Sequence, residues 1–158
     1  MLNAMEQLKE FVIHPVFLAG IFSWLSAQFI KTVAALLLGK IKDFKELISL
    51  LFWRTGGMPS SHSALVCSVS TSIGYSAGFT SNVFILSICF SMVVIRDSVG
   101  VRRASGLQAK AINEIGKVLQ ENELMEYNRI KEVHGHKTIE VIIGCLLGLF
   151  VGIGFSVL

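Results

Sequence analysis

The sequence predicts an all-α protein: a polytopic membrane bundle of about four transmembrane helices, with an interfacial amphipathic helix and a cytoplasmic helical connection. The first observation is composition. Of the 158 residues, 53% are hydrophobic and only 16% are charged, whereas about a quarter of the residues of soluble domains are charged. The second observation is four apolar stretches, each close to the roughly 20 residues that a membrane crossing needs. The length suits one domain, which we expect to cover residues 1–158.

The predicted spans are joined by one short turn and two long connections. The spans cover about residues 15–38, 61–79, 82–101 and 137–157. The connections are residues 39–60 and 102–136. Apolar residues recur every three or four positions over residues 40–57 with charged residues between them, which predicts an amphipathic helix at the membrane interface. Residues 103–120 show the same helical spacing.

The distribution of basic residues predicts the orientation of the bundle. Twelve of the fourteen lysines and arginines lie in residues 39–60 and 96–137, whereas the segments expected on the opposite side contain only Lys9. Cytoplasmic loops of membrane proteins carry an excess of lysine and arginine. We therefore expect a multi-pass protein with both termini outside and both long connections in the cytoplasm.

Small residues repeat every four positions on two of the spans. Such repeats let helices approach closely in lipid, so we expect close packing through Gly144, Gly148 and Gly152 on the last span, and through Ser70, Gly74 and Gly78 on the second. A bundle of four spans is small, and we therefore consider a homodimer as its assembly.

Three polar clusters lie at the predicted cytoplasmic ends of the spans. "RTGGMPSSHS" (54–63) begins the second span, "RDSVGVRR" (96–103) ends the third and "HGHKTIE" (134–140) begins the fourth. Charged groups beside hydrocarbon are costly and commonly mark functional sites. We expect these clusters to form one site. Arg96 and Asp97 either belong to it or form an ion pair that closes the third span.

The first cluster has the features of an anion site at a helix start. Ser60 or Ser61 can cap the second span after Pro59. The unpaired backbone amides and the helix dipole at that position favour an anion. Gly57 allows the backbone to approach a ligand closely, and His62 lies in the first helical turn beside the anion.

The other two clusters add a histidine–carboxylate pair and guanidinium groups. His136 and Glu140 are four residues apart and therefore share one helix face, where the carboxylate can fix the tautomer of the imidazole. Guanidinium groups match the oxygens of a phosphate, and the candidates are Arg54, Arg102 and Arg103.

These motifs resemble the type 2 phosphatidic acid phosphatase and vanadium haloperoxidase superfamily. The residues Pro59-Ser60-Ser61-His62 are similar to its Pro-Ser-Gly-His motif, and the segment from His136 to Glu140 is similar to its His-x-x-x-Asp motif. Together, "RTGGMPSSHSA", "RDSVGVRRASGLQAKAIN" and "GHKTIEVIIG" resemble the divergent branch of that superfamily, small bacterial membrane proteins with plant relatives. The resemblance covers nearly the whole chain and implies a bacterial cell membrane as its location.

The resemblance implies a phosphatase that acts on a lipid phosphate or diphosphate through a phosphohistidine, without a metal or another cofactor. His136 would be the nucleophile and Glu140 its orienting carboxylate. His62 would protonate the leaving oxygen, and Ser61 with nearby backbone donors would hold the phosphate. The expected partners are the lipid phosphate substrate and membrane lipids, and no nucleic acid.

The chain departs from the superfamily pattern at two places. The first superfamily motif, a lysine followed after six residues by Arg-Pro, has no match, and Arg129 is displaced by one position from the arginine that precedes the nucleophile. Either Arg102 and Arg103 replace these ligands, or the protein binds or transports an anionic lipid headgroup without chemistry. The pattern "D-x-x-G-x-R-R" at residues 97–103 also suggests a metal-dependent phosphatidyl transferase. The sequence lacks the further aspartates with which such an enzyme would hold its metal ions.

Overall fold

The computed structural model describes residues 3–39, 43, 48, 57–132 and 135–157, and within these ranges it contains helices and no β-strand. In chain order the elements are α1 (Ala4–Ile13), α2 (Pro15–Leu37), α3 (Ser61–Ala77), α4 (Asn82–Arg96), a π-helical turn (Asp97–Val101), α5 (Arg102–Glu121) and α6 (Thr138–Val157). The prediction of an all-α membrane helix bundle is confirmed. The predicted amphipathic helix at 40–57 lies largely outside the described residues.

Three helical segments of the described chain are long and apolar enough to cross a membrane: Pro15–Leu37, Asn82–Glu121 and Thr138–Val157. Large apolar side chains cover their outer surfaces, among them Phe22, Phe29, Leu86, Phe90 and Phe150. Such side chains are stable against lipid tails, which are equally apolar. The second segment exceeds the predicted span at 82–101, because the helix continues through the π turn into the connection.

Helix α3 lies at the centre of the bundle and packs against α2, α4 and α6. It has 17 residues, and its buried positions are mainly serines, among them Ser63, Ser68, Ser70 and Ser72. A helix enclosed by other helices can carry hydroxyl groups, because they bond to neighbouring helices or to their own backbone. The hydroxyl oxygens of Ser70 and Ser91 are 2.9 Å apart, and Ser156 donates to Ser72 at 3.3 Å. The crossing predicted for residues 61–79 stays a prediction, since α3 is not one of the three apolar segments.

Contacts along α3 define the directions of its neighbours. Ser70 of α3 meets Ser91 of α4, and Gly74 meets Phe84, which comes earlier in α4. Lys31 near the end of α2 bonds to Ser61, and Gly20, earlier in α2, lies against Val69, so α3 is antiparallel to both helices. Its contacts with α6 run in the same direction along both helices, from Gly144 against Ser60 to Gly152 against Ser68, so α3 and α6 are parallel. As a result α2 and α4 end where α3 and α6 begin, and we call this end of the bundle the polar end.

The glycines of α6 let it lie directly on the backbone of α3. A Cβ atom placed on Gly144, Gly148 or Gly152 would collide with a carbonyl oxygen of α3, those of Ser60, Ala64 and Ser68 respectively. The predicted packing role of this glycine series is confirmed. In the second predicted series, Ser70 and Gly74 contact α4 through Ser91 and Phe84 respectively, whereas the prediction was wrong for Gly78, which caps α3 with φ of 89° and where a Cβ would meet no atom within 4 Å.

This packing gives a test of the fold. We expect Gly148→Leu to lower the free energy of unfolding by at least about 1–3 kcal/mol, because the side chain forces α6 away from the Ala64 carbonyl. The matched control is Gly154→Leu on the same helix, since a Cβ at Gly154 meets no atom within 4 Å. Thermal unfolding in detergent measures both variants, and equal melting temperatures would contradict the packing described.

The segment after α5 returns along that helix and is fixed by the buried side chain of Asn113. The amide of Asn113 donates to the Ile130 carbonyl at 2.9 Å and to Glu132 at 2.8 Å. Its oxygen accepts from the Tyr127 hydroxyl at 2.6 Å and from the Ile130 N–H at 2.9 Å. The ring of Tyr127 covers Gly116, where a Cβ would collide with it. These contacts guide the chain back to the polar end, where α6 begins.

Candidate functional site at the polar end

The histidine–carboxylate pair predicted from the sequence forms at the start of α6. Nδ1 of His136 lies 2.9 Å from Oε2 of Glu140, and His136 is only 5% exposed. Because a carboxylate is an acceptor, Nδ1 is the donor of this bond, and in a neutral imidazole the lone pair then lies on Nε2. In the described part of the chain Nε2 has no hydrogen-bond partner. This is the arrangement that a nucleophilic or basic histidine needs.

Glu140 also has a structural role. Its Oε2 accepts the backbone N–H of Lys137 at 3.2 Å, and Lys137 is the residue before the first helical position, Thr138. A glutamate that reaches back to the amide before its own helix is one half of a capping box. The same carboxylate therefore stabilises the start of α6 and orients His136.

Backbone contacts tie the start of α6 to both other clusters. The N–H of His136 donates to the carbonyl of Ser98 in the π turn at 3.2 Å, and the N–H of Ser60 donates to the carbonyl of Glu140 at 2.9 Å. Gly135 lies against the backbone of Arg103 so closely that a Cβ would collide with it. The three clusters that are separate in the sequence thus form one structure.

The start of α3 provides the predicted helix N-terminus. Ser60 is the capping residue, and its Oγ accepts from the Ser63 N–H at 3.4 Å and from the Ser63 hydroxyl at 3.0 Å. The N–H groups of Ser61 and His62 have no acceptor in the part of the chain that the structure describes. Gly57 has φ of 85°, a value that favours glycine. The two unpaired amides and the dipole of α3 are features that favour an anion at a helix start.

The structure adds a site residue that the sequence reasoning did not include, Lys31 of α2. It is 5% exposed, and its Nζ donates to Ser61 Oγ at 3.3 Å and to Gln28 Oε1 at 3.1 Å. Both acceptors are neutral, and among the described residues no carboxylate lies within ion-pair distance, although Glu140 interacts with it at longer range. A buried ammonium without an anionic partner is unfavourable, so an anion at this position would be bound strongly.

His62 lies in the middle of these groups and is half-buried. Its imidazole interacts electrostatically with Arg102, Lys31 and His136, which belong to three different helices or loops, and with the carboxylate of Asp97. The two predicted histidines are therefore close enough to interact electrostatically. The fixed positive charges of Lys31 and Arg102 favour an anionic ligand near His62.

Of the two alternatives for Arg96 and Asp97, site residues or an ion pair that closes the third span, the ion pair does not form. Asp97 pairs with Arg102 instead, with Nε to Oδ2 at 2.6 Å, and Arg96 forms no ion pair with any described residue. Consecutive helical residues point in different directions. The π turn spans Asp97–Val101, and its i to i+5 spacing places Arg102 over Asp97. This pair holds Arg102 beside His62.

The other predicted phosphate ligands make fewer contacts at the polar end. Arg103 is exposed, and its side chain has no hydrogen bond or ion pair to the described residues. The displaced Arg129 pairs with Glu132 at 3.2 Å with most of its side chain in solvent. Arg54 lies outside the described residues.

Comparison with known proteins agrees with this arrangement of motifs. A family model described as "Divergent PAP2 family" matches residues 12–151. The chain belongs to this family. It is also similar to the "Uncharacterized membrane protein YuiD" of Bacillus subtilis (strain 168), with 34% identity over 92% of this chain and 93% of that protein. No solved structure matches the chain. As a divergent PAP2 protein it is a multi-pass membrane protein, and Lys31, the start of α3 and the His136–Glu140 pair all lie within the matched region.

Proposed function

We propose that this divergent PAP2 protein is a membrane phosphatase that hydrolyses a lipid phosphate or diphosphate through a phosphohistidine. The observation that carries the proposal is the His136–Glu140 pair, at 2.9 Å, placed at one end of the bundle with a second histidine and a cationic anion-binding position. The family membership supports the reaction class. The buried ammonium of Lys31 and the unpaired amides of Ser61 and His62 supply the donors that a phosphate needs.

In the proposed reaction Nε2 of His136 attacks the phosphorus atom. The bond between phosphorus and the leaving oxygen breaks, and this oxygen takes a proton from His62. Water then attacks the phosphohistidine, His62 accepts a proton from that water, and phosphate leaves while the His136 lone pair is restored. Covalent catalysis divides one displacement into two easier steps.

The surrounding donors stabilise the negative charge that develops on the equatorial oxygens of the phosphoryl group. Lys31 and the amides of Ser61 and His62 supply the fixed positive charge on one side. Arg102, held beside His62 by Asp97, supplies a further guanidinium. These groups replace the lysine–arginine motif that the sequence lacks.

We further propose that the polar end faces the cytoplasm of a bacterial membrane, with both termini outside. The support is the excess of lysine and arginine in the connections at this end and the rule that such loops stay in the cytoplasm.

The alternative is a protein that binds or transports an anionic lipid headgroup without hydrolysis. The missing lysine–arginine motif of the superfamily favours this alternative, since phosphoryl transfer needs those positive charges more than binding does. A phosphate held only by Lys31 and the α3 amides would need no reactive histidine.

The deciding experiment measures phosphate release from a panel of lipid phosphates and diphosphates by the purified protein in detergent with a metal chelator. We expect release that vanadate inhibits, with the His136→Ala protein as the control for contaminating phosphatases. Lipid phosphate binding that persists in His136→Ala, without any release by the unmodified protein, would favour the binding alternative. A binding protein of that kind should lose affinity in Lys31→Met.

A further inference from the structure

An apolar groove of about 650 Å³ runs along α3 between α4 and α6. Its volume is in the range of sites that enclose whole small ligands. No charged side chain lines it among the described residues, and most of its surface is aliphatic or aromatic. Thr138 and Val99 line one end of the groove, and Cys67 and Cys145 line its middle. Tyr75, Phe79 and Phe84 line the other end.

The groove begins at the candidate site. Thr138 and Val141 line it, and they lie on either side of Glu140 in the first turns of α6. Val99, which also lines it, follows Ser98, whose carbonyl accepts the N–H of His136. A ligand whose phosphate lies at the polar end therefore has an apolar surface directly beside it.

Three of the hydroxyl groups that line the groove, those of Ser70, Thr71 and Ser91, have partners inside the protein. Ser70 and Ser91 are bonded to each other at 2.9 Å, and Thr71 donates to the Cys67 carbonyl at 2.8 Å. With these groups paired inside the protein, hydrocarbon can lie against them without loss of a hydrogen bond. The chemistry of the lining selects an uncharged, apolar occupant.

Three aromatic side chains close the end that is far from the site. The ring centroids of Tyr75 and Phe79 are 5.5 Å apart, and those of Phe79 and Phe84 are 5.2 Å apart, both in edge-to-face geometry. Gly74 has no side chain, and the Phe79 ring occupies that space against the backbone of α3. The cluster joins the end of α3 to the start of α4.

The groove is long enough to hold a lipid tail along its whole length. At a rise of about 1.5 Å per residue, α6 covers about 22 Å between Thr138 and Ile153, both of which line the groove. One leaflet of a bilayer has about 15 Å of hydrocarbon, half of the roughly 30 Å core. A tail in the groove would extend through its own leaflet and beyond the bilayer midplane.

We propose that this groove holds one hydrocarbon tail of the phosphorylated substrate, and that Tyr75, Phe79 and Phe84 limit the length of tail that the protein accepts. The proposal rests on the proposed function, because the phosphate at the polar end anchors the tail. It names the substrate class more narrowly: an amphiphile with a long single chain beside its phosphate.

A blocked groove gives the first test. We expect Cys145→Trp, which fills the middle of the groove, to lower kcat/KM for long-chain n-alkyl phosphates at least tenfold. Hydrolysis of a short-chain n-alkyl phosphate, whose tail ends before Cys145, should change less than twofold. The matched control is Cys89→Trp, because Cys89 is an exposed cysteine on α4 that does not line the groove. Equal losses for short and long chains in a folded Cys145→Trp protein would overturn the proposal.

The aromatic end gives the second test. Phe79→Ala should move the preferred chain length in the n-alkyl phosphate series toward longer tails, whereas Phe150→Ala, on the lipid-facing side of α6, should leave it unchanged. An unchanged chain-length profile in Phe79→Ala would contradict the limiting role of the cluster.

Photo-crosslinking separates this proposal from the proposed reaction. A long-chain alkyl phosphate with a diazirine at the end of its tail is bound to the His136→Ala protein, and the labelled residues are mapped by mass spectrometry. We expect labels at Tyr75, Phe79 or Phe84. Labels there without phosphate release by the unmodified protein would support the groove and contradict the phosphatase. Phosphate release with labels only on lipid-facing residues, or crosslinks between two copies of the chain, would overturn the groove.

Discussion

His136→Ala is expected to lower the rate of phosphate release by a factor of about 10³ or more, because removal of a nucleophile eliminates the covalent step. Residual activity should come only from phosphate binding and electrostatic stabilisation by Lys31 and the α3 amides. The measurement is kcat under saturating lipid phosphate. The unmodified protein, quenched in alkali during turnover, should also carry a labelled phosphoryl group that acid releases, and this label should be absent in His136→Ala.

Glu140 variants distinguish a nucleophile from its positioning residue. Glu140→Gln keeps an oxygen that can accept from Nδ1 of His136 and from the Lys137 N–H, but it loses the negative charge. We expect a fall in kcat of about 10–100-fold with little change in KM, by analogy with losses at outer-shell partners of histidine ligands. The melting temperature should stay near that of the unmodified protein, since the cap of α6 is preserved.

The result that would contradict the assignment is normal turnover in His136→Ala, with the protein folded and free of other phosphatases. A phosphoryl label that persists in this variant would move the covalent step to another residue. His62 is then the candidate, because it belongs to the same cluster and interacts electrostatically with His136.

The sequence predicted those parts of the site that depend on local spacing. His136 and Glu140 are four residues apart, and they pair across the start of α6 although His136 precedes its first helical residue, Thr138. The helix start at Ser60 is equally local. The apolar spans were predictable for the same reason, since hydropathy is a property of each segment alone.

Contacts that depend on helix register could not be predicted in the same way. Lys31 and Ser61 are thirty positions apart, and nothing in the pattern around Lys31 indicates which helix it faces. Asp97 and Arg102 meet because one turn of the helix is of the π type, and that turn changes the expected partner of Asp97. The glycine series of α6 indicated close packing. The residues whose carbonyl oxygens it contacts, Ser60, Ala64 and Ser68, are not glycines, so the sequence did not mark them as the contact positions.

Lys31→Met is expected to change binding and stability in opposite directions. Methionine has similar length and no charge, so it removes a buried ammonium whose described partners are neutral. Replacement of buried charges by apolar residues of similar volume is often neutral or stabilising. We therefore expect an unchanged or higher melting temperature, together with a loss of kcat/KM of about 100-fold, in line with loss of a charged contact to a buried anion.

Ligand-induced stabilisation separates the two effects. Vanadate, a phosphate mimic, should raise the melting temperature of the unmodified protein, because a ligand that binds only the folded state stabilises it. The same concentration should have little effect on Lys31→Met, whereas Lys9→Met, at an exposed lysine of α1, should respond like the unmodified protein.

If Lys31 has only a structural role, the expected results for Lys31→Met are the opposite. If Lys31 serves only to bond Gln28 and Ser61, methionine leaves their oxygens without a donor and should lower the melting temperature, while vanadate still stabilises the folded fraction. A rise in stability with loss of the vanadate response would instead mean that the protein keeps an unfavourable buried charge for the anion it binds. That pairing of effects is what a preorganised phosphate site requires, since the cost of burying the ammonium is offset only when the phosphate is present.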